Sequence, residues 1–289
     1  MKVAYRNHFR GKAFPKMRFA FVVSRALGYH IPNLFDSNES FHDFDKALGL
    51  LEQNGFDGVE LNLNFHDQSR LSRIKDCIKS HGLRLSGVGT GLVYARDNLS
   101  LTDSERSKRE RAIAIVEKLI EFASDEKAPV IIGLIRGAGK LHVEEASVYL
   151  RDSLKECDSV AQRHGVRMAL EAVNRYETPL LNAADEVSTF IKNTKLDATG
   201  ILLDTFHMNI EEGSIEETIR EYFSEVIHFH IADSNRWPPG FGHLRIEELL
   251  HLLQDLGYHG WVSAETLPKP SSAEAVTATA SFLRAHRFM

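Results

Sequence analysis

Apolar and polar positions along this chain follow two periods that take turns. Eight short runs have the length and the aliphatic side chains of strands buried on both faces: MRFAFVVS (17–24), FDGVELNL (56–63), LRLSGVGTG (83–91), PVIIGLIRG (129–137), VRMALEAV (166–173), TGILLDTF (199–206), VIHFHIAD (226–233) and GWVSAETL (260–267). Between them lie stretches with apolar residues at helical spacing: 41–55, a segment through Cys77 to His81, 103–127, 142–165, 183–193, 214–223, 246–256 and 272–286. Gly55 and Gly82 close the first two helices, and Asp103 or Ser104 is the expected cap of the one at 103–127, whose charged first half reads as a solvated face.

Strand-then-helix units imply right-handed crossovers and a parallel sheet covered on both sides. Eight in succession favour closure into a single (β/α)8 TIM barrel, an α/β fold, spanning residues 17–289. No G-x-G-x-x-G follows the first strand to suggest an open dinucleotide-binding sheet. Residues 1–16 carry basic side chains and no apolar core, and are expected to be an N-terminal arm or extension. Gly87, Gly89 and Gly91 read as room for close backbone approach at the barrel rim.

Several of the runs end in residues that bind metals. Side chains alternate along a strand, so Arg167, Ala169 and Glu171 share a face, as do Leu202 and Asp204, His228 and His230, and Trp261, Ser263 and Glu265. If those faces point inward, Glu171, Asp204, His230 and Glu265 converge at the C-terminal mouth of strands five to eight. A lone carboxylate after a strand is usually a helix cap or a rim charge, and a lone strand histidine a hydrogen-bonded core residue; His228 and Glu60 stay in that class. Four such residues at matching phase on consecutive strands point to a divalent cation, because three carboxylates crowded in a dry site repel one another. Three oxygens and one nitrogen suit Mn2+ best, with Mg2+, Co2+ and Zn2+ also compatible.

Composition narrows the partners. The chain has 289 residues, 43% of them apolar, and a net charge of -5, which gives no basic surplus for a nucleic-acid backbone. No apolar run approaches the roughly 20 residues of a membrane span. Cys77 and Cys157 lie far apart and form no CxxC, so they read as small buried side chains of a reducing compartment, the cytoplasm, and not as a disulfide or a metal site.

The motifs LEAVNRYE, DTFHMNIEE, HIADSNRWPPGFGH and SAETL resemble the xylose-isomerase-like barrel superfamily, and within it the D-tagatose 3-epimerase type of ketose and keto-sugar epimerases. The resemblance implies that Glu171, Asp204, His230 and Glu265 are the metal ligands, and that Glu171 and Glu265 are also the acid/base pair. It places Glu177, His207 and Arg236 on the substrate, a small sugar, and implies association as a dimer or tetramer. The expected reaction is epimerisation through an enediolate; an aldose-ketose isomerase or an inosose dehydratase could use the same site. An endonuclease acting on abasic DNA with three zinc ions is disfavoured, since GVGTGLVY and GLIRGAGK supply no histidine at the ends of strands three and four. His243 is expected to help fold its loop, and Trp237, Tyr94, Phe65 and His66 are rim candidates.

Overall fold

The computed structural model describes residues 16–23, 38–63, 71–138 and 142–289. Its eight strands are β1 (Arg18–Val23), β2 (Gly58–Asn62), β3 (Arg84–Gly89), β4 (Val130–Ile132), β5 (Met168–Glu171), β6 (Thr199–Asp204), β7 (Val226–Ile231) and β8 (Trp261–Ala264). All pair in parallel and in sequence order, and β8 returns to β1 through pairs such as Phe19 with Val262, so the sheet closes. The outer ring is made of α1 (Asn38–Gln53), α2 (Leu71–Ser80), α4 (Arg106–Ala123), α5 (Val143–His164), α6 (Ala184–Thr194), α8 (Ile215–Tyr222), α9 (Ile246–Asp255) and α10 (Ser272–Ala285). Two short helices sit on the mouth: α3 (Gly91–Asp97) follows β3 and α7 (Thr205–Glu211) follows β6.

The expected (β/α)8 barrel is the observed one, with three local departures. The fourth run leaves the sheet after Ile132, because Leu134–Arg136 turns into a single 3-10 turn. The helix expected from 103 begins at Arg106; Asp103 is used earlier, accepting the Glu105 amide at 2.9 Å in the turn before it. The sixth run ends at Asp204, where the chain coils at once into α7. The expected arm at 1–16 falls almost wholly outside the described residues, as do Phe65 and His66.

Two unequal cores result. The large one fills the layer between sheet and helices with outward-facing residues such as Met168, Leu170, Leu203 and Phe229. The interior of the barrel holds a small apolar cluster, Ile131, Ala169 and Leu202, with Ala20, Val22 and Trp261 also buried on inward positions. The other inward positions include a buried polar set: Glu60, Ser86, His228, His230 and Ser263. Most (β/α)8 interiors are packed with branched aliphatic side chains; here the space is given to a hydrogen-bonded polar column that rises to the mouth. Cys77 and Cys157 are both free and buried, and burial, reinforced by Asp45, pushes the Cys77 thiol up to about 12.

At the opposite end, Asp158 of α5 ties the helix to the start of β6. Its buried carboxylate accepts the amides of Asp197 and Ala198 at 3.1 Å and the Thr199 hydroxyl at 2.6 Å. Asp158→Ala strands these donors, and each buried donor left unpaired costs about 1–3 kcal/mol. The expected result is a lower urea midpoint with an unchanged slope, and unaltered turnover by the protein that remains folded.

Candidate active site

Glu171, the last residue of β5, Asp204, the last of β6, His230 on β7 and Glu265, one residue beyond β8, bring one ligand atom each to within 4.8 Å of one another, all buried. The alternation expected from period two holds on all four strands. His230 organises the group: its Nδ1 lies 2.9 Å from Glu265 Oε2, 3.6 Å from Asp204 Oδ2 and 4.0 Å from Glu171 Oε1. Its other nitrogen, Nε2, donates to Glu60 Oε2 at 3.0 Å, and His228 Nε2 donates to the same oxygen at 2.8 Å. Burial opposes a charge on Glu60, but the two imidazoles outweigh it and hold the carboxyl well below the usual range. Glu60 therefore anchors the His230 ring through Nε2 and leaves Nδ1 facing the cluster, as a carboxylate behind a metal-binding histidine does.

Arg236 closes the group from above, donating to Asp204 Oδ2 at 2.7 Å and Glu265 Oε2 at 2.6 Å. It reaches them from a tight turn in which its own backbone is left-handed, φ 63°, while Asp233 gathers the loop by accepting the amides of Ser234, Gly240 and Leu244. Asp233 is committed to that backbone and does not enter the cluster. His243 bonds Ser234 at 2.9 Å within the same loop, in keeping with a structural part.

His207 on α7 has its Nε2 3.5 Å from Glu171 Oε1. Asn174 donates to its Nδ1 at 2.7 Å and to Glu177 Oε1 at 2.9 Å, while its own carbonyl accepts the Tyr176 amide. An amide that donates to Nδ1 leaves the proton on Nε2, which faces the cleft. Burial pushes the His207 pKa down to about 4, so at neutral pH it is an uncharged donor.

The cleft over this cluster is lined on one side by Glu171, Glu177, His207, His230, Arg236 and Glu265. The facing wall is largely apolar, with Leu92, Ala95, Ile131, Leu134 and Val173 beside Asn62 and Thr90. Two glycines of that wall are required by close approach. A Cβ at Gly133 would stand 2.5 Å from Glu171 Oε2, and one at Gly89 2.1 Å from Asn62 Oδ1. Gly91, by contrast, opens α3 and has space for a methyl group, with its nearest neighbour at 3.5 Å. Tyr94 and Trp237, the other rim candidates, do not line the cleft.

The donor set fits a divalent cation. Burial first, then the charges of Glu265 and Asp204, push Glu171 up to about 8, a repulsion that a cation among the carboxylates would relieve. Three oxygens and one nitrogen, with no sulfur, favour a hard or borderline ion.

Two residues of this region escaped sequence reasoning. Glu60, by sequence a lone strand carboxylate with no assigned part, is the partner of His230. Arg136 lies inside an apolar run, yet it is fully buried, donating to the carbonyls of Gly133, Leu180 and Leu181 and to the Glu171 carbonyl, and so it holds the end of β5. An arginine in an otherwise aliphatic strand end is the one signal that could have found it.

Comparison with known proteins identifies the family and the fold. The sequence model of the xylose isomerase-like TIM barrel matches residues 48–286. The chain belongs to the xylose isomerase-like TIM barrel family. It is 33% identical to a D-psicose 3-epimerase of Ruminiclostridium cellulolyticum, covering 77% of this chain and 78% of that one. A D-psicose 3-epimerase of Agrobacterium fabrum is 30% identical over 74% of this chain and 76% of its own. Among solved structures, a 3-keto-D-glucoside 4-epimerase from E. coli superposes with a TM-score of 0.76, covering 93% of this chain and all of that one; at 22% identity this speaks to the fold alone. Within the family fold, the ends of β3 and β4 bring Gly89, Thr90, Gly133 and Leu134 to the cleft. Among the described residues, no imidazole from these strands joins the group of Glu171, Asp204, His230 and Glu265. No described helix is long and apolar enough to cross a membrane.

Proposed function

We propose that this protein is a divalent-metal-dependent epimerase of a ketose or keto-sugar acid, inverting the carbon beside the carbonyl through an enediolate. The observation that carries the reading is the meeting of two glutamates, Glu171 and Glu265, from well-separated strands with Asp204 and His230 at the mouth of one barrel. It is supported by relatives that are D-psicose 3-epimerases at 30–33% identity over three-quarters of the chain. Mn2+ matches the oxygen-rich set best; Mg2+, Co2+ and Zn2+ remain compatible with it.

A proton on carbon beside a ketone is too weakly acidic for an ordinary carboxylate unless the charge left behind is stabilised. When bound, the cation supplies positive charge next to the oxygens on which negative charge develops. The Nε2 proton of His207 and the guanidinium of Arg236 add hydrogen bonds to the same end of the substrate, and neither has to change protonation state to do so. One of Glu171 and Glu265 takes the proton from one face, and the other returns a proton to the opposite face. Glu177, tethered through Asn174 to His207, lines the cleft toward solvent, and in this reading it holds a neighbouring hydroxyl. The aliphatic wall of Ile131, Leu134 and Val173 limits water around the reacting carbon.

The test is incubation of Mn2+-loaded protein with a panel of ketoses and keto-sugar acids in D2O, followed by NMR of the recovered sugars. Deuterium beside the carbonyl together with a new diastereomer is the expected result. An aldose product or loss of water would replace the epimerase reading with isomerase or dehydratase, and an unlabelled, unchanged panel would remove the enolising mechanism.

A further inference from the structure

The outer ring holds a second cluster of metal-binding side chains, away from the cleft. Cys77 on α2 and His81, four residues later, project from one face toward α1, where Asp45 meets both: its Oδ1 lies 3.5 Å from Cys77 Sγ and 3.0 Å from His81 Nε2. The three ligand atoms lie within 4.8 Å of one another. Glu52, two turns after Asp45 on the same face of α1, lies 2.8 Å from the other His81 nitrogen, Nδ1. The ring packs over Gly49, where a Cβ would already touch it at 3.5 Å, so a side chain longer than alanine would displace the imidazole. Glu52 precedes β2 and His81 precedes β3, which puts the group at the amino ends of the strands, opposite the cleft.

We propose that Asp45, Cys77 and His81 form a zinc site that clips α1 to α2, with Glu52 orienting the His81 imidazole from behind. Two of the three ligand edges come close to those of a tetrahedral set, and the third lies within 4.8 Å. Zinc-sulfur and zinc-oxygen bonds of about 2.3 and 2.0 Å span an S···O edge of roughly 3.5 Å, and zinc-nitrogen and zinc-oxygen bonds an edge of roughly 3.3 Å. The observed separations of 3.5 and 3.0 Å need only a small opening between the helices. Asp45, with its side chain half exposed, leaves the fourth position to water, and ions enter from solvent. Binding releases the Cys77 thiol proton and the His81 Nε2 proton to solvent and makes one sulfur-metal, one nitrogen-metal and one oxygen-metal bond, with no change of oxidation state. A thiolate with an imidazole selects a softer ion than the oxygen-rich cleft, so the chain sorts two cations by donor chemistry. Cys77, taken from its isolation in sequence as an inert core side chain, gains this role only because His81 and Asp45 fold onto it.

The decisive probe is Co2+, because among the clusters of the described residues only the ring site offers a thiol. Addition of Co2+ to the full-length protein is expected to give thiolate-to-cobalt charge-transfer absorption, competed away by Zn2+. Cys77→Ser is expected to lose that absorption and one equivalent of bound Zn2+ after dialysis, with turnover at the cleft unchanged. Asp45→Asn, a change at a half-exposed position that leaves the core intact, should weaken Zn2+ at this site, and Glu52→Gln should do so by about 10–100-fold. Absence of the absorption in the wild-type protein at saturating Co2+, its persistence in Cys77→Ser, or equal zinc content in wild type and Cys77→Ser would overturn the proposal.

Discussion

Glu171→Gln and Glu265→Gln are each expected to lower turnover by roughly a thousandfold or more while the barrel stays folded. Glutamine keeps the volume and one acceptor oxygen, but it cannot take a proton and it removes one of three negative charges. Folding survives because the cluster is over-supplied with charge of one sign. Loss of Glu171 relieves Glu265 and Asp204 of a repelling neighbour, and loss of Glu265 leaves Arg236 its 2.7 Å bond to Asp204. The paired measurement is steady-state turnover with each substrate epimer, alongside a thermal melt. Near-full epimerisation by either variant would end the two-base scheme. A melt lowered by more than a few degrees would shift the loss from chemistry to structure.

Much of this site was legible because a strand has one simple rule: residues two apart share a face. Glu171 pairs in register with Leu202, and Asp204 with His230, so the phase read from each run carried directly to convergence. Asp204 shows why the bland reading and the functional one need not compete. Its Oδ1 accepts the Phe206 amide at 2.7 Å and caps α7, while its Oδ2 faces His230 and Arg236. Thr205 and Phe206 are good strand formers, and the run therefore read as strand through Phe206; the cap that stops it is a tertiary choice made where the sheet ends.

The less legible parts depend on partners distant in sequence. Glu60 becomes a positioning residue only through His228 and His230, 168 and 170 residues away. Arg136 acquires its four carbonyl partners only when the turn after β4 folds beneath the 180–181 loop. Periodicity says nothing about either, since it reports which face a residue occupies and not what stands opposite. The same limit hid α3, whose GLVYARD is too short to show a helical repeat and begins immediately after a strand.

Stripping the metal with a chelator is expected to abolish turnover and to leave a protein whose stability falls as pH rises from about 6.5 to 8, a slope that metal restores toward flat. The sign follows from the cluster. Burial, with Glu265 and Asp204 behind it, holds Glu171 up at about 8, above its ordinary 4.5, so its contribution to stability is full below the unfolded value and is lost as pH rises through the folded one. His230 works in the same direction: burial opposes its charge, but Glu60 and Glu265 outweigh it and raise its pKa well above 6.5. Two groups oppose this. Burial lowers the pKa of His207 to about 4 and also lowers that of His228, and both add stability with rising pH, but only up to their unfolded value near 6.5. Asp204, where Arg236 and His230 outweigh the effect of burial and hold the carboxyl low, titrates below the window altogether. Above pH 6.5 the downward terms therefore stand alone. A cation takes the place of the Glu171 proton, so its affinity rises across the same interval, and at a hundredfold excess over its dissociation constant it adds about 2.7 kcal/mol to folding. Urea midpoints of stripped and Mn2+-loaded protein at pH 6.5 and 8 measure both effects. Parallel pH dependences in the two forms would mean that the cation does not sit among these carboxylates.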